Sequence, residues 1–299
     1  MISLKLSDLS PQERQAYLQA AIGPRPIAFA STVDGDGNPN LSPFSFFNVF
    51  SSNPPILIFS PARRVRNNTT KDTLRNCEET REVVINIVNY DLVQQCSLSS
   101  TEYQTGVNEF VKAGLTEEPS VSVAPPRVKE SPVQMECKVN DIVALGDNGG
   151  AGNLVICEVL HMHISRDILN SDGKIDQNKI DLVARLGGNW YARASGDALF
   201  EVEKPLRSLG IGVDSIPPRI RNSYVFNGND LGMLGNVEAL PTDSEIRSVL
   251  EHPRVQAIFN NSSDGLEARE NLQHYAKELL DKGKIEKAWK VLLCDNIQK

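Results

Sequence analysis

The sequence has no paired-cysteine motif: Cys77, Cys96, Cys137, Cys157 and Cys294 are scattered through 299 residues without a C-x-x-C. That spacing argues against a zinc ribbon or a disulfide framework and reads as reduced, separately packed thiols. Positive charge is also in short supply, with 31 Lys and Arg against 38 Asp and Glu, a net charge of −7 and a pI near 5.3. Gripping a phosphate backbone takes clustered cations, so no nucleic-acid partner is expected. No segment has the roughly 20 apolar residues of a membrane helix. Met1-Ile2-Ser3-Leu4-Lys5 lacks the basic and apolar regions of a secretory signal, so no membrane association and a cytoplasmic location are expected. Serine-hydrolase and zincin chemistry lack their motifs, G-x-S-x-G and H-E-x-x-H. Aromatic residues make up only 6% of the chain, so a local concentration of them is informative.

That concentration lies between Pro24 and Phe59. Pro24-Arg25-Pro26-Ile27-Ala28-Phe29 leads into a turn from Asp34 to Asn40, then Ser42-Pro43-Phe44-Ser45-Phe46-Phe47-Asn48-Val49, then Pro54-Pro55-Ile56-Leu57-Ile58-Phe59. Two strand-like runs joined by an Asp/Gly/Asn turn predict a hairpin. If Pro43 to Phe50 is one strand, alternation puts Phe44, Phe46, Asn48 and Phe50 on one face and Ser45, Phe47 and Val49 on the other. Both faces then carry bulk. An ordinary core strand has little use for aromatic residues interleaved with small polar ones, whereas a flat ligand with a polar edge does.

Further along, Ser10, Pro11 and Glu13 predict a capped helix that ends before Pro24. Strands are expected over 27–33, 43–50, 56–60, 83–88, 133–145 and 154–165, with helices over 71–81, 91–97 and 108–113. Six strands with short helices between them suit a closed antiparallel barrel rather than a doubly wound parallel sheet. Pro205 marks the expected edge of this unit, giving domains 1–205 and 206–299. Beyond it, Leu209 to Val213 and Tyr224 to Phe226 read as short added strands. The rest reads as helical, with a start at Asp264 and Glu267 and a hairpin broken at Gly283.

Two segments have the makings of an anion site. Ser60-Pro61-Ala62-Arg63-Arg64 follows a strand, and Thr69-Thr70-Lys71-Asp72-Thr73 opens a helix whose first-turn N–H groups lack internal partners. His161 and His163 share a strand face, but chelation needs a third ligand, and His252 and His274 lie in the helical tail. Asp34-Gly35-Asp36-Gly37-Asn38 has Ser45 where a calcium loop needs a glutamate, so it reads as a turn. Gly146 to Gly152 lacks the lysine of a P-loop and reads as a flexible hairpin.

From about Leu4 to Pro205 this succession resembles the flavin reductase-like family, which includes the reductase component of nitrilotriacetate monooxygenase and flavoredoxin. The resemblance implies a mainly β fold, an FMN-binding split barrel of antiparallel Greek-key type, with the helical region as a C-terminal appendage. It implies a homodimer with FMN at the subunit interface, NAD(P)H as electron donor, and a possible partner monooxygenase. A non-catalytic electron-transfer protein of the flavoredoxin type is the alternative. It further implies that Ser45, Phe46, Phe47 and Asn48 meet the flavin ring, and that Ser60, Arg64, Lys71 and Thr73 meet the phosphate and ribityl tail, with Arg63 as substitute for Arg64. His163, Asn189 and Tyr191 are the remaining flavin-side candidates.

Overall fold

The computed structural model describes residues 1–202 and 204–297. The chain divides into two compact units, Met1–Phe200 and Glu201–Lys299.

In the first unit, α1 (Pro11–Ala21) begins on the anticipated capping box: the Glu13 amide donates to Ser10 Oγ at 3.3 Å, and the Ser10 amide donates to the Glu13 carboxylate at 2.8 Å. The strands are β1 (Ala28–Val33), β2 (Pro39–Phe44), β3 (Phe47–Ser52), β4 (Pro55–Phe59), β5 (Glu82–Ile87), β6 (Glu117–Glu118), β7 (Arg127–Val128), β8 (Val133–Ala144), β9 (Asn153–Ile164), β10 (Leu182–Arg185) and β11 (Tyr191–Ala194). Helices α2 (Asp72–Thr80), α3 (Val93–Leu98), α4 (Glu109–Ala113) and α5 (Gln177–Ile180) lie between them. Seven strands form one sheet in the order β2-β1-β5-β8-β9-β4-β3, every neighbouring pair antiparallel.

The β1–β2 hairpin forms as expected. Its turn is held by the Asp34 carboxylate, which accepts from the amides of Asp36 and Asn38 at 3.1 and 2.8 Å. Every residue of β1 is buried, because period-two alternation feeds two cores. Ala28 and Ala30 join Phe44, Phe59, Val83 and Cys157 inside the curl of the sheet. Ile27 and Phe29 join Leu41, Leu92 and Phe110 on the other side, where α3 and α4 cover it.

The aromatic run is not one strand, as its composition suggests, but two. β2 ends at Phe44 and β3 starts at Phe47, and these are the two outermost strands of the sheet. Three residue steps span at most about 11 Å. The sheet must therefore curl until its edges meet at the Ser45-Phe46 link, where the Ser60 amide donates to the Phe46 carbonyl at 2.8 Å. The break also undoes the predicted shared face: Phe44 is 7% exposed, Phe46 41% and Phe50 63%. Asn48 is the second residue of β3 and pairs with Ile58.

In the second unit lie α6 (Pro218–Arg221), α7 (Gly228–Gly235), α8 (Asp243–Arg247), α9 (Pro253–Asn261), α10 (Gly265–Leu280) and α11 (Ile285–Leu293), with no strand among the described residues. The strands expected at 209–213 and 224–226 are absent: the Ile211 and Gly212 amides donate to the Val237 and Gly235 carbonyls, but no strand forms there. Asp264 caps α10 through the Leu266 and Glu267 amides, and Gly283, at φ +68, separates α10 from α11. This unit has its own core, centred on the fully buried Trp289, whose Nε1 donates to the Leu234 carbonyl at 3.0 Å.

Candidate functional site

Two loops leave the curled end of the sheet and are laced together. One follows β4, from Ser60 to Lys71, and the other joins β8 to β9. The Arg63 amide donates to the Ala151 carbonyl at 2.8 Å, the Gly150 amide to the Arg63 carbonyl at 2.9 Å, and Asn68 Nδ2 to the Asp147 carbonyl at 2.9 Å. The Gly146–Gly152 segment is thus pinned rather than the free hairpin its glycines suggest. Gly149 makes the contact possible, since a Cβ there would meet the backbone of Arg64 and Val65 at 3.0–3.1 Å. Gly149→Ala is expected to push the loops apart and weaken ligand binding in the cleft between them several-fold, with little change in melting temperature. Parallel titration and melting of the two proteins checks this, and an unchanged affinity would mean the loop spacing is immaterial.

That cleft has a volume of about 790 Å³. Arg63, Arg64, Lys71 and Asp147 contribute its charged groups from the two loops, Phe46 an exposed ring from the strand link, and Leu145 an apolar wall. Helix α1 closes the remaining side with Pro11, Arg14, Gln15 and Leu18, the i, i+3, i+4, i+7 positions of one helix face.

Lys71 is the electrostatic oddity. Its Nζ donates to Ser42 Oγ at 3.3 Å and lies 5.0 Å above the Phe44 ring, and among the described residues it forms no salt bridge. Burial pushes its ammonium below the ordinary lysine range, and the Arg64 charge pushes it further, against the opposing pull of Glu102 and Glu109. Arg64 Nη1 donates to Thr69 Oγ1 at 3.0 Å and to the Thr70 carbonyl at 2.6 Å, while its Nε lies 3.5 Å from Glu102. Lys71 is also the N-cap of α2, with no side-chain cap bond, and the Asp72 and Thr73 amides find no partner among the described residues. Arg64 and Lys71 also border a small polar pocket with Ser42, Thr73, Ser99, Thr101 and Glu109. Burial raises the Glu109 carboxyl, whose Oε2 accepts from the Leu41 amide at 3.0 Å. The surroundings thus combine two cations, free helix amides and several hydroxyls, a donor set suited to a phosphate.

The other candidates are dispersed. Phe46, Arg63, Arg64 and Lys71 meet in the cleft, and Thr73 borders the small pocket, its Oγ1 accepting from Asn40 at 2.9 Å. Ser45 turns toward buried Arg25, whose Nε is 3.4 Å from its Oγ and whose other nitrogens donate to the carbonyls of Gln19, Ile22 and Leu186. Phe47 packs on the inner core, Asn48 is exposed, and Ser60 is buried at the end of β4. His163 is stacked on His161 and lies 2.7 Å from Glu136. Burial alone would raise the Glu136 carboxyl, but the Val121 and Ser122 amides and His163 outweigh it and hold the group below the usual range. The Asn189 segment is the turn of the β10–β11 hairpin. Tyr191, under the Arg185 guanidinium, lines a separate cavity of about 210 Å³ with Tyr90 and Arg193. A further cavity of about 620 Å³, walled by Ile27, Val133, Met135 and Ile180, is mostly apolar, and the one cation on its lining, Arg193, is already paired with Asp181 at 2.6 Å.

Reading the sequence missed Arg14 and Leu18. Their signal was the helix-face spacing from Pro11, but α1 has no buried residue, so nothing in its apolar pattern pointed to a site.

The family model described as flavin reductase like domain matches residues 22–179. An uncharacterized protein of Halalkalibacterium halodurans is 36% identical over 206 residues, covering 68% of this chain and 97% of its own. Nitrilotriacetate monooxygenase component B from Bacillus cereus aligns in structure with a TM-score of 0.63 at 29% identity, over 68% of this chain and 98% of that one. A protein with a split barrel domain from Shewanella frigidimarina gives a TM-score of 0.56 at 28% identity, over 67% and 96% of the two chains.

Proposed function

The chain belongs to the flavin reductase-like family, and on that premise we propose that it is an FMN-binding oxidoreductase that passes reducing equivalents from NAD(P)H to flavin. The observation that carries this reading is the cleft lined by an exposed Phe46 ring, by Arg64 and by a half-buried Lys71 that forms no salt bridge among the described residues. A lysine held in this way costs stability unless an anion joins it. A phosphate dianion answers that need, and the unpaired Asp72 and Thr73 amides suit it as well.

In this reading Arg64, Lys71 and Thr73 hold the FMN phosphate, with Ser60 in support. Phe46 and the backbone from Ser45 to Asn48 position the ring. Bound FMN supplies hydride acceptance and electron release, so no side chain has to serve as nucleophile. The residues bind, orient and leave one flavin face open to the donor. In a homodimer, Asn189 and Tyr191 of the partner subunit complete the ring site, which a single chain leaves without them. Because the similar Bacillus cereus protein is a component of a monooxygenase, an oxygenase is the partner we infer for the reduced flavin.

Saturating titration with FMN, read by flavin fluorescence and absorbance, is expected to give about one flavin per subunit. NADH and NADPH oxidation with added free FMN then tests turnover. An unchanged flavin spectrum at micromolar protein would sink the reading. Tight FMN binding without oxidation of either donor would leave the electron-transfer alternative.

A further inference from the structure

The cleft carries more positive charge than one phosphate uses. Arg14, Arg63, Arg64 and Lys71 line it, against a single lining carboxylate among the described residues, that of Asp147. If Arg64 and Lys71 serve the FMN phosphate, Arg14 and Arg63 are left over. Arg14 forms no side-chain hydrogen bond or ion pair among the described residues, and its Nε is buried without a partner. A buried guanidinium nitrogen with nothing to donate to is costly, and a ligand oxygen removes the cost. Arg63 is partly used: Nε donates to Asn68 Oδ1 at 2.7 Å and Nη2 to the Asn68 carbonyl at 2.8 Å, both neutral acceptors, which orients the fork without neutralising it. One guanidinium comes from α1 and the other from the loop after β4, so they stand on different walls of the same cleft.

We propose that Arg14 and Arg63 form a second anion subsite, which takes the diphosphate of the pyridine dinucleotide donor. This rests on the functional reading above and adds to it the residues that recognise the donor. A diphosphate carries two negative charges over adjacent groups, and planar guanidinium forks meet phosphate oxygens in a bidentate manner. Leu18 and Leu145 add apolar wall next to these charges, as a ligand larger than a bare anion requires. Arg14 lies ahead of residues 22–179, the part matched by the family model, so family membership alone does not supply it.

The test is Arg14→Gln in the full-length protein, with Arg63→Gln as the second variant. Three quantities are measured: FMN affinity by fluorescence, steady-state kinetics with whichever of NADH and NADPH the wild type uses, and kinetics with N-benzyl-1,4-dihydronicotinamide, a hydride donor without phosphate. The dinucleotide KM is expected to rise tenfold or more while kcat moves less than twofold. The ratio of kcat/KM for the dinucleotide to that for the benzyl donor should fall by the same tenfold. Equal losses with both donors would overturn the proposal, since they would mark a structural role. A parallel loss of FMN affinity would overturn it as well, by assigning Arg14 to the flavin. If the wild type binds no FMN, the functional reading fails separately. Quenching of NADH fluorescence by the flavin-free protein then decides the subsite: binding that needs Arg14 supports it, and binding indifferent to Arg14 overturns it.

Discussion

Lys71→Met should weaken FMN at least tenfold, change riboflavin affinity by no more than about twofold, and raise the melting temperature of the flavin-free protein. The first effect follows from charge: a hydrogen bond to a charged group contributes about 1.5–3 kcal/mol, and tenfold in affinity is about 1.4 kcal/mol. Riboflavin lacks the phosphate, so it escapes the loss. The third effect follows from burial, which disfavours the Lys71 ammonium; methionine fills the same space over Phe44 without that penalty. The pH dependence has a definite sign. Because the folded-state pKa of Lys71 lies below that of the unfolded chain, the unfolded state holds more protons in the interval between them, and free-protein stability gains from this residue as pH rises through it. FMN favours the charged ammonium, so its affinity should fall as pH climbs into the same interval, while riboflavin affinity stays level. Arg64→Ala should also weaken FMN far more than riboflavin but keep that pH dependence, because Lys71 remains, whereas Lys71→Met should abolish it. Titrations of both flavins from neutral to alkaline pH check these points, and equal losses for the two flavins would remove Lys71 from the phosphate.

Local rules made much of the first unit legible. The capping box at Ser10 and Glu13, the Asp34 turn and the long β8–β9 pair all rest on contacts between residues near in sequence or on strict alternation. The break at Ser45-Phe46 did not announce itself, because aromatic residues on both sides mimic a continuous two-sided strand. What imposes it is closure of the sheet, a property of β2 and β3 as distant edges and of the Ser60 amide reaching Phe46. The β10–β11 hairpin escaped for a different reason: each strand has four residues, too few for a period to register.

The candidate site was legible in its charges and obscure in its walls. Arg63, Arg64 and Lys71 stand in sequence beside a strand end and a helix start, where anion sites recur. Arg14 and the Gly149 approach come together with them only through tertiary packing of α1 and the β8–β9 loop. The histidines went the other way. His163 had the look of a functional residue, yet Glu136 occupies it within a network that ties down the Val121 and Ser122 amides.

Trp289→Ala should unfold the helical unit while FMN binding survives. Trp289 is 1% exposed, and removing a buried tryptophan costs about 3–5 kcal/mol, a large share of the 5–15 kcal/mol that a whole domain typically holds. The Leu234 carbonyl would also lose its indole donor. The buried cluster around Trp289 runs from Ile216 to Cys294, whereas the two clusters of the barrel-like unit lie between Ile27 and Val183. Each unit therefore has apolar burial of its own. Every residue lining the cleft falls between Pro11 and Ala151. We accordingly expect the variant to lose helical ellipticity in a separate, earlier thermal transition, with FMN affinity just above that transition within about twofold of the parent at the same temperature. A protein ending at Phe200 should behave in the same way. Loss of FMN binding in step with the helical signal, in a protein whose sheet remains folded by circular dichroism, would mean that the C-terminal region supports the flavin site, and the division into a flavin-binding domain and an appendage would have to be given up.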